Sequence, residues 1–251
     1  NISANVARDL HIADIDSDGD LDIVSASSGD NTIAWYENDG AANPSWTASD
    51  ISYTALGPRG IFLADIDSDG DLDIVSASSG DNTIAWYEND GAANPSWTAA
   101  DISTTADGAR NVFVADIDSD GDLDIVSASH DDDTIAWYEN DGNSDPSFTK
   151  NVISTSADGA RGVHIADIDS DGDLDIVSAS RIDNKIAWYE NDGAANPSWS
   201  TTTIATSAAG ARDIHIADMD NDGDLDIVSA SSGDDTIAWY ENDGAANPSW
   251  T

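Results

Sequence analysis

Ala13-Asp14-Ile15-Asp16-Ser17-Asp18-Gly19-Asp20-Leu21-Asp22-Ile23-Val24-Ser25-Ala26-Ser27 recurs residue for residue from Ala64, Ala115 and Ala166. It returns from Ala217 with Met219 and Asn221 as its two changes. Each step is 51 residues. Downstream, Ile-Ala-Trp-Tyr-Glu-Asn-Asp-Gly begins at Ile33, Ile84, Ile135, Ile186 and Ile237 with the same step. Self-similarity at such a period marks a repeat architecture, in which units bury their faces against one another. Composition does not shift along the chain, so residues 1–251 read as a single domain of five repeats without a linker.

Each repeat offers four β-type runs. In the second repeat they are predicted over 60–66, 72–78, 83–89 and 96–103. Turn-forming clusters separate them: the Asp-rich loop, Ser79-Gly80-Asp81-Asn82, and Asn89-Asp90-Gly91 running on to Asn94-Pro95. Ile-Ala-Trp-Tyr is apolar on both strand faces, which suits a sheet covered on both sides. No helical period appears. Four short strands per 40–50 residues are the signature of a propeller blade. The fold expected is all-β, a five-bladed β-propeller with four antiparallel strands per blade. An open β-solenoid is the alternative, but its rungs are much shorter than 51 residues. The chain stops at Trp250-Thr251, the first half of an outer run, and starts at Asn1-Ile2-Ser3, the second half. Joining the two segments in one blade is expected to close the ring and remove its exposed edges.

The Asp-rich loop carries the chemistry. Asp14 to Asp22 fits D-x-D-x-D-G-x-x-D. Calcium takes six to eight hard oxygens in flexible geometry, and alternate Asp residues in a tight loop can point carboxylates inward. Glycine at the sixth place permits the sharp turn. Asp14, Asp16, Asp18 and Asp22 are assigned as side-chain ligands, with Asp20 offering its backbone oxygen. The same roles fall on Asp65, Asp67, Asp69, Asp73 and Asp71, and on Asp116, Asp118, Asp120, Asp124 and Asp122. They continue at Asp167, Asp169, Asp171, Asp175 and Asp173, and at Asp218, Asp220, Asp222, Asp226 and Asp224. About five Ca²⁺ per chain are expected. An EF-hand needs a Glu at the twelfth loop position and flanking helices, whereas the twelfth residue here is Ser25 and the flanks are β-type. A merely solvated turn would leave five packs of like charge without a counter-ion. Zinc is disfavoured by the absence of Cys and of His in the loop, and Mg²⁺ fits a carboxylate cage less well.

The motifs together, Ala-Asp-Ile-Asp-Ser-Asp-Gly-Asp-Leu-Asp-Ile-Val with Ile-Ala-Trp-Tyr-Glu-Asn-Asp-Gly and a following Pro-Ser-Trp, resemble the FG-GAP/VCBS repeat family. That family includes calcium-binding blades of integrin α-subunits, bacterial surface proteins and some fungal lectins. The resemblance spans all five repeats. It implies a propeller, calcium in the loop between the first two strands of each blade, and an extracellular or cell-surface setting. It does not imply one function, because one fold hosts many. Two departures stand out: family rings more often hold six to eight blades, and these repeats are more alike than packing requires.

Charge narrows the partners. Fifty acidic residues face eight basic ones, a formal net charge of −42. Nucleic acid and anionic membrane surfaces both need a Lys/Arg footprint, so both are disfavoured. No apolar stretch is long enough for membrane insertion, and no signal-peptide pattern opens the sequence. Cysteine is absent. A monomer is expected.

Other residues recur in register. Trp35-Tyr36, Trp86-Tyr87, Trp137-Tyr138, Trp188-Tyr189 and Trp239-Tyr240 are expected to pack between sheets. The second aromatic set is Trp46, Trp97, Phe148, Trp199 and Trp250. It too is read as packing, with sugar stacking as the alternative. Arg8, Arg59, Arg110, Arg161 and Arg212 precede the first strands; they are expected to offset the Asp field or bond carbonyls near the ring axis, with a ligand carboxylate as the alternative. His11, His164 and His215 share a first-strand position with Phe62 and Phe113, which reads as packing at the channel. No catalytic constellation stands out, so the chain is read as a non-enzyme. The function expected is a calcium-binding interaction or adhesion scaffold, with a protein or glycan ligand. A lectin-like module is the alternative, and a designed propeller without a natural ligand is a further reading.

Overall fold

Strand propensity and repetition resolve into five small sheets. The computed structural model describes residues 4–250 and contains no helix among them. Blade 1 is β1 (Ala7–Ala13), β2 (Asp22–Ser27), β3 (Thr32–Asn38) and β4 (Trp46–Ser52). Blade 2 is β5 (Pro58–Ala64), β6 (Asp73–Ser78), β7 (Thr83–Asn89) and β8 (Trp97–Ser103). Blade 3 is β9 (Ala109–Ala115), β10 (Asp124–Ser129), β11 (Thr134–Asn140) and β12 (Phe148–Ser154). Blade 4 is β13 (Ala160–Ala166), β14 (Asp175–Ser180), β15 (Lys185–Asn191) and β16 (Trp199–Ala205). Blade 5 is β17 (Ala211–Ala217), β18 (Asp226–Ser231) and β19 (Thr236–Tyr240). All pairings are antiparallel between sequence neighbours, giving a five-bladed β-propeller. In the second repeat the first strand runs two residues earlier than expected, at both ends, because Pro58 already pairs with Ser78 across a bulge.

Blade 5 has three strands among the described residues. The bridge Asn242–Trp250 begins a fourth in the register of Asn38–Trp46 in blade 1. The expected shared-strand closure rests on residues 1–3 and 251, outside the described residues.

The period of two explains why the strands looked apolar throughout. In blade 1, Val24, Ala26, Ile33 and Trp35 lie on one face, toward blade 2. They meet Ile61, Ile74, Ala85 and Tyr87, which occupy the opposite set of positions in blade 2. Alternate residues of Ile-Ala-Trp-Tyr thus serve two different junctions. Four apolar clusters result, one each between blades 1 and 2, 2 and 3, 3 and 4, and 4 and 5. Trp35, Trp137 and Trp188 are among the largest fully buried side chains.

Each of these junctions also carries polar ties. Asn89 Nδ2 donates to Ile15 O at 3.3 Å, and Asn140, Asn191 and Asn242 repeat the bond to Ile66, Ile117 and Ile168. Gly57 N donates to Asn31 Oδ1 at 2.9 Å, with equivalents at Gly108, Gly159 and Gly210.

The faces of blades 5 and 1 that would form a fifth such junction are bare among the described residues. Leu10 is 59% exposed where Ile61 is 1%, and Trp239 is 45% exposed where Trp188 is 0%. A groove of about 740 Å³ runs over the uncovered face of blade 1, past Leu10, Ile23, Tyr36 and Trp46.

At the axis, the first-strand rings form a run: His11, Phe62, Phe113, His164 and His215, with successive centroids 5.2, 4.7, 4.7 and 5.2 Å apart. This is the channel packing expected for that position.

Candidate metal centre

The β1–β2 loop turns back on itself through two left-handed residues, Ser17 at φ 59° and Gly19 at φ 98°. The second value suits only glycine. Asp14 organises the turn: its Oδ1 accepts Asp18 N at 3.1 Å and its Oδ2 accepts Gly19 N at 3.0 Å. Asp18 Oδ1 accepts Asp20 N at 2.9 Å. The same bonds recur in the next three loops.

This folding brings the first, third and fifth loop carboxylates together. Asp14, Asp16 and Asp18 each place an oxygen within 4.8 Å of the others. Asp65, Asp67 and Asp69 do the same, as do Asp116, Asp118 and Asp120, and Asp167, Asp169 and Asp171. Loop 5 differs: its group is Asp218, Asp220 and Asp226, without Asp222. There Asn221 N, rather than Asp222 N, donates to Asp218 Oδ1.

The ninth loop residue does a second job. Asp22 is buried, and its Oδ2 accepts Ile15 N at 3.3 Å and Trp35 Nε1 at 2.9 Å. Its Oδ1 accepts Asn38 N at 2.8 Å. It therefore pins the loop to β3, and in loops 1–4 it stands outside the convergent trio. The carboxylate of Asp20 packs on Gly40 in the β3–β4 turn, where an added side chain would collide with it. Asp71, Asp122, Asp173 and Asp224 repeat this contact on Gly91, Gly142, Gly193 and Gly244.

Burial and like charge act together on the loop carboxylates. Burial, and then the neighbouring loop carboxylate, raises Asp16, Asp67, Asp118, Asp169 and Asp220 above the usual range. Burial pushes Asp73, Asp124 and Asp175 up to about 7. Asp16 Oδ1, Asp118 Oδ1 and Asp169 Oδ1 are buried without a hydrogen-bond partner. Orphaned buried carboxylate oxygens are costly unless a donor or cation meets them. The donor set is all oxygen, as calcium prefers, so these residues fit that ion.

The Glu of Trp-Tyr-Glu lies outside the Asp-rich loop, yet it stands near the same carboxylates. Glu37, Glu88, Glu139, Glu190 and Glu241 lie near enough to raise the third loop residue's pKa in their own blades. A signal was available: the chain's five Glu residues all occupy this one register.

The FG-GAP-like repeat family matches residues 14–76, 65–127, 116–178, 167–229 and 218–251. The chain belongs to the FG-GAP-like repeat family. No curated protein sequence matches it. Among solved structures it is similar to an Agrocybe aegerita lectin that recognises non-reducing terminal N-acetylglucosamine (20% identity, TM-score 0.61, 97% of this chain, 64% of the lectin). It is also similar to the V. cholerae biofilm matrix protein Bap1 (19%, 0.55, 98% and 39%). A third is the periplasmic gluconolactonase of Pseudomonas aeruginosa (12%, 0.62, 94% and 67%). At these identities the likeness is one of fold, and the same propeller carries both binding proteins and enzymes. The chain spans about two thirds of the lectin and less of the matrix protein.

Proposed function

We propose that this FG-GAP-like propeller binds calcium in each blade and serves as an extracellular interaction or adhesion scaffold rather than an enzyme. The observation that carries the calcium reading is the convergence of three loop carboxylates with an unpartnered buried oxygen among them. The ion would be held by Asp14, Asp16 and Asp18 and their equivalents, with Glu37 and its equivalents near. It would supply positive charge that lets the raised carboxyls ionise at neutral pH. Five similar sites spread around a ring, four of them alike and the fifth rearranged, would stiffen the loops and offer no single asymmetric centre for catalysis.

Calorimetric titration of the metal-stripped chain should give five sites, one for each acidic group. Asp169→Asn should remove one of them. Two sites or fewer would end the reading. Calcium bound only to the folded chain stabilises it by about 3 kcal/mol at a hundredfold excess over Kd, so chelation should lower the melting temperature clearly.

A lectin-like reading has one observation in its favour. The blade 1 groove sets Tyr36 and Trp46 beside Arg8 and Asp9, an aromatic and polar mixture suited to sugar rings. A glycan array at millimolar calcium separates it from a protein-binding scaffold.

A further inference from the structure

All six arginines of a chain with net charge −42 gather at one end of the ring axis. Arg8, Arg59, Arg110, Arg161 and Arg212, one from each blade, line a single cavity of about 380 Å³. Arg181 is close enough to act electrostatically on Arg110 and Arg161. Among the described residues none of the six forms an ion pair; the two ion pairs there involve His130 and Lys185. The cavity's own acids are already engaged by backbone: Asp9 accepts Leu10 N and Ile61 N, and Asp213 accepts Ile214 N.

Two of the guanidinium groups are anchored by a serine. Arg8 Nε donates to Ser28 Oγ at 2.8 Å, and Arg59 Nε donates to Ser79 Oγ at 3.0 Å. Arg110 Nε is buried without a partner. In blade 4 the seat that Ser28 and Ser79 provide is taken by Arg181, which adds a further cation instead of an anchor. Burial and mutual repulsion push Arg59 and Arg161 down to about 10. Five guanidinium groups in one partly enclosed space, offset only in part by Asp9 and Asp213 in the lining and by Asp131 near Arg59 and Arg110, constitute a destabilising arrangement that an anion would relieve.

We propose that this five-arginine cavity is a binding site for a small polyvalent oxyanion: sulfate, phosphate or a compact dicarboxylate. Guanidinium forks match planar or tetrahedral oxyanions bidentately, and several forks around one ion favour divalent over monovalent anions. The site lies on the axis, is independent of the loop carboxylates, and stands whether or not the calcium reading does.

The test uses the full chain at saturating calcium. Melting temperature is followed against sodium sulfate and against sodium succinate, each compared with sodium chloride at equal ionic strength. Sulfate, succinate or both should stabilise beyond chloride, and which one does so distinguishes a mineral anion from a carboxylate ligand. In Arg110→Gln/Arg161→Gln the excess over chloride should vanish. That variant should fold and melt in chloride no lower than the parent, because it relieves repulsion. Arg161→Lys, which keeps the charge but loses the fork, should weaken sulfate binding about tenfold by calorimetry. Equal effects of sulfate, succinate and chloride would overturn the proposal, as would an undiminished sulfate effect in the double variant. If the double variant fails to fold, sulfate titration of Arg161→Lys alone decides: no weakening refutes the site.

Discussion

Trp188 and Trp239 occupy the same position in repeats of nearly the same sequence, yet one is 0% exposed and the other 45%. Ile186 and Ile237 show the same contrast, 0% against 73%. What differs is the neighbour: blade 5 covers blade 4, and no described residue covers that face of blade 5. A blade of four short strands cannot bury its own apolar faces, so its stability resides in the junction. The sealed and bare faces of one repeat therefore measure how much of the fold belongs to the interface rather than to the sheet.

Trp→Ala substitution should show the difference most strongly. At Trp188 the change opens a cavity between two sheets and should cost about 3–5 kcal/mol. At Trp239 the side chain already meets solvent, and the cost should stay under about 1 kcal/mol. Urea unfolding of both variants in saturating calcium checks this. Equal costs would mean that the faces of blades 5 and 1 are covered in solution.

A polar tie gives a finer comparison. Asn191 Nδ2 donates to Leu174 O within its blade and to Ile117 O across the junction. Asn38 makes only the first type of bond, to Leu21 O, and is more open to solvent. Both accept the turn glycine's N–H. Asn191→Ala strands a buried carbonyl and should cost about 1–3 kcal/mol. Asn38→Ala should cost about 0.5 kcal/mol. The difference isolates the interblade bond, and its absence would place that bond's contribution at nothing.

Much of this architecture was readable in the residues. The 51-residue step located the blades, and the third strand, Thr83–Asn89, fell where the Ile-Ala-Trp-Tyr run put it. The division of that run between two junctions was not readable, because both faces are apolar and only a neighbour's position tells them apart. The loop trio was legible from alternate Asp residues. The ninth residue's bonds to Trp35 and Asn38 were not, since they depend on how β2 and β3 register. The bare junction was equally hidden: identical residues predict identical burial until the ring's curvature is known.

The axial rings offer the smallest test of the same contrast. His164 sits between Phe113 at 4.7 Å and His215 at 5.2 Å, whereas His11 has a ring neighbour only at Phe62. Burial first, and then the nearby His215, lowers the pKa of His164; a backbone bond at Ile165 and the charge of Asp213 act the other way. A histidine whose folded pKa lies below its unfolded value near 6.5 leaves the folded chain with fewer protons. Its stability is fully present above that unfolded value and is lost as pH falls from there through the lower folded value. Phe62 and Phe113 show that this position accepts phenylalanine. His164→Phe should therefore match the parent near pH 8 and melt above it near pH 5.5, with calcium saturating at both. Taking the variant against the parent at each pH cancels the titration of the acidic loops. His11 is also lowered, by burial opposed by Asp9. With a ring on one side only, His11→Phe should gain less than His164→Phe at the lower pH. An equal gain at both sites would show that burial of the ring alone, and not its place between two neighbours, sets the effect.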